Sequence, residues 1–383
     1  MSVTAAQGFR AAGVTAGIKA SGRPDVALVV NDGPLQAAAG VFTTNRVKAA
    51  PVVWTQQCIT TGELHAVVLN SGGANACTGP DGFADTHRTA EHVAGLLGVG
   101  PIEVAVCSTG LIGERLPMGL LLPGVDAAAA SLSADGGGDA AVAIMTTDTV
   151  SKQVTVAGDG FVVGGMAKGA GMLAPGLATM LVVLTTDAVV DPDDLDTILR
   201  GATRRTFDRV DSDGCMSTND TVLLLASGAS GVRPQYDDLA AAVEEVCGRL
   251  ARMLIGDAEG ASKDIRIDVV GATSEDDAVE AGRAVARSNL LKCAIHGEDP
   301  NWGRVLSAVG TTDAAFDADA LDVAINGVWV CRAGAPGEDR ALVDMSGREV
   351  TITVDLHAGT QSATVWTNDL TAAYVHENSA YST

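Results

Sequence analysis

The stretch KGAGMLAPGLATMLVVLTTDA, Lys168–Ala188, joins two different kinds of chain. Its first half carries glycines and a proline that disfavour a helix, whereas Thr179–Leu184 (TMLVVL) is a short apolar run typical of a buried strand. A threonine at the start of a strand is ordinary. The position of Thr179 between a glycine-rich loop and a strand is unusual, because the loop can bend the carbonyl of Ala178 toward the Thr179 hydroxyl while the strand holds Thr179 in place.

The rest of the chain mixes strands and helices without the regular alternation of a barrel or a doubly wound sheet. Short runs rich in β-branched residues predict buried strands at Asp25–Asn31, Gly40–Thr43, His65–Leu69 and Ile102–Cys107. Helical spacing and start signals predict helices at Thr89–Leu97, after Asp191, at Tyr236–Gly256 and after Ser274. Alternation around residues 352–365 predicts a β-hairpin. These patterns together predict an α/β fold.

Composition restricts the classes of function. The 383 residues are 47% hydrophobic, enough for a large core, and the formal net charge is −22. Such a charge repels nucleic-acid phosphates and anionic membranes, so partners of these two kinds are not expected. An acidic interaction protein without enzymatic activity remains an alternative.

Cysteine usage and the N-terminal sequence indicate the compartment. The seven cysteines are widely spaced and lack a CxxC pair, which argues against a disulfide framework and against a zinc site. Residues 1–22 lack the charged and apolar regions of a signal peptide, and no apolar run reaches the roughly 18 residues of a membrane span. We therefore expect a cytoplasmic protein.

Six ordered motifs extend over nearly the whole chain. They are STGLIGERLPM (Ser108–Met118), IMTTDT (Ile144–Thr149), GMAKGAGMLAPGLATML (Gly165–Leu181), STNDT (Ser217–Thr221), HGEDPNWGR (His296–Arg304) and ENSAYST (Glu377–Thr383). With them the chain resembles the glutamate N-acetyltransferases of arginine biosynthesis, also called ornithine acetyltransferases. The resemblance implies an α/β fold in which mixed sheets pack between helices (αββα layering), with two lobes.

The same resemblance implies that the chain cuts itself between Ala178 and Thr179, giving segments 1–178 and 179–383. Elementary chemistry agrees with such a cut. A threonine hydroxyl is a poor nucleophile until a base removes its proton, and an N-terminal Thr179 brings its own α-amine. The reference pKa of that amine, roughly 7.7–8.0, suits a general base near neutral pH.

The resemblance also assigns the remaining site residues. Thr109 and Gly110 would form the oxyanion hole, although a Thr-Gly pair is equally typical of a routine turn after a strand. Lys168 would bind the substrate carboxylate, and the other residues in contact with substrate would be Thr146, Thr179, Glu259, Asn378 and Thr383. A solvated loop position is the simpler alternative for Lys168 and Glu259. His296 and Asp299 are assigned to structure, because the Thr179 amine already fills the role of the base.

The implied reaction is a ping-pong transfer of acetyl from N2-acetyl-L-ornithine to L-glutamate through acetyl-Thr179. Some members of the family also take acetyl from acetyl-CoA, and we expect this second activity here. Covalent acyl transfer needs no cofactor or metal ion. The implied assembly is an α2β2 heterotetramer of the two segments. A hydrolase with the same nucleophile, passing its acyl group to water, is the main alternative.

Overall fold

The computed structural model describes residues 2–173 and 180–380. The predicted residues Ala178, Thr179 and Thr383 lie outside these ranges. The described strands are, in chain order, β1 (Phe9–Val14), β2 (Val26–Asn31), β3 (Ala37–Phe42), β4 (Ala66–Asn70), β5 (Val104–Ser108), β6 (Lys152–Ala157), β7 (Val162–Lys168), β8 (Leu181–Thr186), β9 (Thr221–Ala226), β10 (Asp264–Ala272), β11 (Asp322–Ile325), β12 (Val328–Arg332), β13 (Ala335–Pro336), β14 (Glu349–Asp355) and β15 (Gln361–Asn368).

The helices alternate irregularly with these strands. They are α1 (Ala50–Cys58), α2 (Gly79–Leu97), α3 (Met118–Ala130), α4 (Gly137–Ala143), α5 (Pro192–Arg205), α6 (Tyr236–Gly256), α7 (Glu275–Ala286), α8 (Asn289–His296), α9 (Trp302–Val309) and α10 (Ala372–Ala380). In the described part of the chain, no helix is both long and apolar enough to cross a membrane.

Two sheets form the first lobe. The first sheet has the order β1-β2-β4-β5, and the second has the order β3-β9-β8-β7-β6. Leu181 and Val183 of β8 share a core with the first sheet, whereas Val182 and Leu184 share another with α5 and α6. Because successive side chains of a strand point to opposite faces, the second sheet is buried on both sides. Helices α2 and α3 pack on the first sheet. The predicted αββα layering is confirmed.

The third sheet forms the second lobe, with the order β13-β12-β11-β14-β10-β15 and its own core that includes α7, α8 and α9. The predicted hairpin at residues 352–365 is wrong. Strand β10 lies between β14 and β15, pairing in parallel with β14 and antiparallel with β15. Both strands of the predicted hairpin form, but β10, which precedes them in the chain, lies between them in the sheet.

Several helix predictions are confirmed. Helix α6 has the predicted bounds, and the Ser274 hydroxyl caps α7 by accepting the Asp277 N–H at 3.0 Å. Helix α5 begins after Asp191, as predicted. The Asp191 carboxylate does not cap the helix, however, but pairs with Arg233 at 2.9 Å. Helix α2 begins at Gly79, ten residues before the prediction, because its polar first turns hide the apolar periodicity.

Candidate active site

Thr109 and Gly110 follow directly on β5, as predicted, and a second segment holds them. The Gly73 N–H donates to the Thr109 carbonyl at 3.0 Å, and the Thr109 N–H donates to the Asn70 carbonyl at 3.0 Å. Gly110 has φ +130°, and a Cβ there would lie 2.7 Å from the Gly73 nitrogen. Only glycine therefore fits this position, and the backbone N–H groups around it are fixed.

Lys168 is the last residue of β7 and is buried. Its Nζ donates to the Thr109 Oγ1 at 3.3 Å. Burial lowers the pKa of the Lys168 ammonium, and the nearby Asp148 carboxylate works in the opposite direction. The simpler alternative of a solvated loop lysine is thus wrong. A buried cation beside the Thr109 hydroxyl suits an anionic group of a ligand.

A buried ion cluster supports Thr146 and Lys168. The Asp148 carboxylate accepts the N–H of Thr146 at 2.9 Å, the N–H of Gly169 at 2.7 Å and the Nζ of Lys152 at 2.6 Å. Lys152 also contacts Asp257 at 2.5 Å. Burial by itself would raise the pKa of Asp148, but Lys168, Lys152 and the Gly169 N–H bring it to about 2. Asp148 is therefore a carboxylate that orders the Thr146 loop.

Glu259 and Asn378 meet although 119 positions separate them. The Asn378 Nδ2 donates to the Glu259 Oε2 at 3.0 Å, and the Glu259 N–H donates to the Ala170 carbonyl at 2.9 Å. A Cβ on Gly171 would lie 2.7 Å from the Glu259 carboxylate. The C-terminal helix α10 is thus fastened to the glycine-rich loop through Glu259.

These residues line one cleft that is partly open to solvent. Its lining includes all the predicted site residues that the structure describes: Thr109, Gly110, Thr146, Lys168, Glu259 and Asn378. They come from both predicted segments. Five separate parts of the sequence therefore converge on one place, which local patterns alone could not indicate.

The STNDT motif also lines the cleft, through Ser217, Thr218 and Asn219. The Asn219 Nδ2 donates to the carbonyls of Ala74 and Ser108, at 2.6 and 2.8 Å. Asn219 thereby connects the second sheet to the Thr109 loop. Neither residue pattern nor resemblance assigned a role to Ser217, Thr218 or Asn219, although the STNDT motif that contains them was a signal that could have found them.

Met180 is the first described residue after the predicted cleavage point. Its N–H donates to the Asp220 Oδ1 at 2.9 Å, and its carbonyl accepts the Thr221 N–H at 3.1 Å. Asp220 is fully buried. Met180, directly before β8, is therefore anchored to the STNDT motif next to the cleft.

His296 and Asp299 lie apart from the residues that line the cleft. The His296 Nδ1 contacts the Asp369 Oδ2 at 3.0 Å and the Ser262 Oγ at 3.1 Å. The Asp299 carboxylate accepts the Asn301 amide at 2.9 Å. The His296 contacts join the end of α8 to distant segments, whereas the Asp299 contact lies within its own loop. Within residues 2–173 and 180–380, no group of three or more His, Cys, Asp or Glu side chains could hold a metal ion.

Comparisons with known proteins identify a family for the chain. The model of the ArgJ family matches residues 10–383. The arginine biosynthesis bifunctional protein ArgJ of Streptomyces coelicolor is 71% identical over 382 residues, covering 100% of both chains. The same-named protein of Thermobifida fusca is 65% identical over 383 residues, again covering 100% of both. A solved structure of ornithine acetyltransferase from Mycobacterium tuberculosis, complexed with ornithine, is 60% identical and covers 47% of this chain and 96% of that one, with a TM-score of 0.43.

Proposed function

Because the chain belongs to the ArgJ family, we propose that it is an acetyltransferase of arginine biosynthesis in which Thr179 carries the acetyl group. The observation that carries this proposal is the cleft that gathers Thr109, Gly110, Lys168, Glu259 and Asn378. Met180, the neighbour of Thr179 in the chain, is anchored beside that cleft by Asp220.

The first step is self-cleavage of the bond between Ala178 and Thr179. The Thr179 hydroxyl attacks the carbonyl of Ala178, the peptide bond becomes an ester, and water hydrolyses the ester. The products are the segments 1–178 and 179–383. The cut frees the α-amine of Thr179, which is the base that the uncut chain lacks.

The second step transfers acetyl. The Thr179 amine takes the hydroxyl proton as the oxygen attacks the acetyl carbonyl of N2-acetyl-L-ornithine. The tetrahedral intermediate expels the α-amine of ornithine, which receives that proton. The α-amine of L-glutamate then attacks acetyl-Thr179 and leaves as N-acetylglutamate, returning the hydroxyl and the free amine.

Thr109 and Gly110 stabilise the oxyanion of both tetrahedral intermediates. The Lys168 ammonium occupies a lone pair of the Thr109 hydroxyl, so the hydroxyl hydrogen is free to point at the oxyanion. The backbone N–H of Gly110 is the second donor. In comparable enzymes one such donor contributes about 3–4 kcal/mol to the barrier reduction.

The other cleft residues bind the two amino acids. Lys168 faces the carboxylate that both substrates carry, and Thr146 and the C-terminal Thr383 are further contacts. Glu259 suits the side-chain ammonium of ornithine, whereas the Asn378 amide can also donate to the side-chain carboxylate of glutamate. A carboxylate paired with an amide thus serves two substrates of opposite side-chain charge.

The wider setting is part of the same proposal. Acetyl-CoA is a second acetyl donor to glutamate, and neither half-reaction requires a metal ion or a prosthetic group. The two segments stay together and pair as an α2β2 heterotetramer. We place the enzyme in the cytoplasm, without nucleic-acid or membrane partners.

A radiolabelled assay separates transfer from hydrolysis. With N2-[14C]acetylornithine and glutamate, we expect labelled N-acetylglutamate in equal amount to ornithine, and little acetate. Fast release of acetate that glutamate does not suppress would instead support the hydrolase alternative. Thr179→Ala should abolish both the cut and the transfer. Thr179→Ser is the matched control, because it keeps a hydroxyl and an α-amine at the N-terminus and should keep part of both activities.

A further inference from the structure

Four lysine side chains are buried in the part of the chain that the structure describes: Lys152, Lys168, Lys263 and Lys292. Lys152 and Lys263 form ion pairs with carboxylates. Lys168 and Lys292 have no carboxylate oxygen within 4.0 Å among residues 2–173 and 180–380, and their hydrogen bonds go to neutral oxygens. A buried ammonium is unfavourable without an anion. Lys168 faces a substrate carboxylate in the proposed function, whereas Lys292 has no role there.

Lys292 lies on α8 and lines a second cavity, called here the Lys292 cavity. The other residues that line it include Asp213, Glu259, Asn289 and Tyr374. The Lys292 Nζ donates to the Ser212 carbonyl and, at 3.2 Å, to the Thr367 hydroxyl. An ammonium group has three hydrogens, and the third has no acceptor within the described ranges. Burial lowers the pKa of Lys292, and Asp213 opposes this only from a distance. An anionic group in the cavity would therefore complete the surroundings of Lys292.

Asp213 supplies the opposite charge in the same cavity. Its carboxylate accepts the N–H of Met172 at 2.7 Å, the N–H of Cys215 at 3.0 Å and the Tyr374 hydroxyl. All three donors are neutral, and burial raises the pKa of Asp213. Lys292 acts on Asp213 without an ion pair, because no lysine or arginine nitrogen of residues 2–173 and 180–380 lies within 4.0 Å of it. The Lys292 cavity thus contains a cation and an anion that are not paired with each other.

The charges of the cavity select one class of ligand. A purely anionic molecule would be repelled by Asp213 and Glu259, and a purely cationic one would leave Lys292 without an anion. A free α-amino acid carries both charges. Its carboxylate can accept from Lys292 and from the amide of Asn289, and its ammonium can donate to Asp213.

We propose that the Lys292 cavity is a second binding site, for a free α-amino acid whose carboxylate contacts Lys292 and whose ammonium contacts Asp213. The proposal goes beyond the proposed function, in which neither residue takes part. Glu259 lines both the Lys292 cavity and the active cleft. Asp213 also holds Met172, which lines the cleft. The two sites therefore share a wall.

Equilibrium dialysis with radiolabelled L-ornithine tests the proposal, because the proposed active cleft binds the same amino acid. The cut wild type should bind two equivalents per pair of segments. Lys292→Met and Lys168→Met are a matched pair of variants, since each removes one buried ammonium of similar surroundings. Each variant should keep one equivalent and bind the other roughly 10- to 100-fold more weakly, as expected when a charged hydrogen-bond partner is lost.

The outcomes separate the second site from the proposed function. A single equivalent in the wild type, or two equivalents of unchanged affinity in Lys292→Met, overturns the proposal. A loss in Lys292→Met without any loss in Lys168→Met supports the second site and refutes the role of Lys168 in the proposed function.

A second variant decides the matter if Lys292→Met fails to fold. Asn289 is exposed at the beginning of α8 and lines the Lys292 cavity. Asn289→Asp places a negative charge beside the carboxylate of the ligand and should weaken one equivalent at least about fivefold. Asn289→Gln is the control, because it keeps the amide and adds no charge. Equal affinities for both equivalents in the wild type and in Asn289→Asp would contradict the proposal.

Discussion

At the scale of single residues, the Thr109 hydroxyl accepts a hydrogen bond from the buried Lys168 ammonium, and in the proposed function its own hydrogen is donated to the oxyanion. We expect Thr109→Ala to lower kcat for acetyl transfer about 10²- to 10³-fold, because the transition state loses one preorganised donor. The control is Thr109→Ser, which keeps the hydroxyl and should keep most of the rate. Steady-state kinetics on the cut fraction measure both. Equal rates for Thr109→Ala and Thr109→Ser would remove Thr109 from the oxyanion hole.

Gly110 is required both by its positive φ and by the close approach of Gly73, and a pair of variants can separate these two effects. Gly110 and Gly113 both have a positive φ, of +130° and +89°, but only a Cβ on Gly110 meets another atom, the Gly73 nitrogen. Gly110→Ala should therefore move the Thr109 loop and lower kcat at least about tenfold. Gly113→Ala should reduce stability by about 1–2 kcal/mol with little change in kcat. Urea unfolding and steady-state kinetics give the two quantities, and similar kcat losses in both variants would show that φ strain alone matters.

The candidate site was predictable from motifs and not from local physics. Lys168 beside three glycines looks like a solvated loop residue, yet it is buried at the end of β7. Asp148, Lys152 and Asp220 escaped prediction, because a buried charge is recognised by partners that the fold brings from elsewhere. The burial of Asp148 in the IMTTDT motif depends on Lys152 and Asp257, the latter more than a hundred positions away.

At the scale of secondary-structure elements, the ion cluster of Asp148, Lys152 and Asp257 joins β6 to the end of α6. Lys152→Met should lower the free energy of unfolding by about 3–5 kcal/mol, because two buried carboxylates lose their cation. Arg200→Met is the control. It breaks the exposed pair with Asp196 and should cost less than about 1 kcal/mol. Urea denaturation compares them, and equal costs would mean that the buried cluster contributes no more than a surface pair.

The same cluster predicts a direction for acid unfolding. The folded pKa of Asp148, about 2, lies below the ordinary value of 3.8. A depressed carboxyl pKa stabilises the folded state above the ordinary value, and this stabilisation is lost as the pH falls from about 4 to about 2. Asp148→Asn should therefore show a weaker loss of stability between these pH values than the wild type. Parallel curves of unfolding free energy against pH would contradict this.

Elements were predicted best where the pattern is local. The apolar spacing of α6 gave both of its ends, and the short buried runs gave β2, β4 and β5 to within two residues. The hairpin failed because β14 and β15 are neighbours in the sequence but not in the sheet. The insertion of β10 between β14 and β15 does not change the apolar alternation of either strand, so the local pattern cannot reveal it.

At the scale of the whole molecule, the two predicted segments share one sheet. Strands β3, β6 and β7 precede residue 178, whereas β8 and β9 follow it, and β7 pairs with β8 along its length. We therefore expect the segments 1–178 and 179–383 to elute together in size-exclusion chromatography without denaturant and to separate only in urea or guanidinium. Elution of two separate folded fragments would contradict this shared sheet.

The central claim is that Thr179 cuts the chain and then carries the acetyl group. Intact-mass analysis of the purified protein under denaturing conditions tests it most directly. The account predicts two fragments that meet between Ala178 and Thr179, with the second one acetyl group heavier after brief exposure to N2-acetylornithine without glutamate. Thr179→Ala should give one uncut chain and no adduct. A wild-type chain that stays whole while it transfers acetyl at full rate would contradict the account.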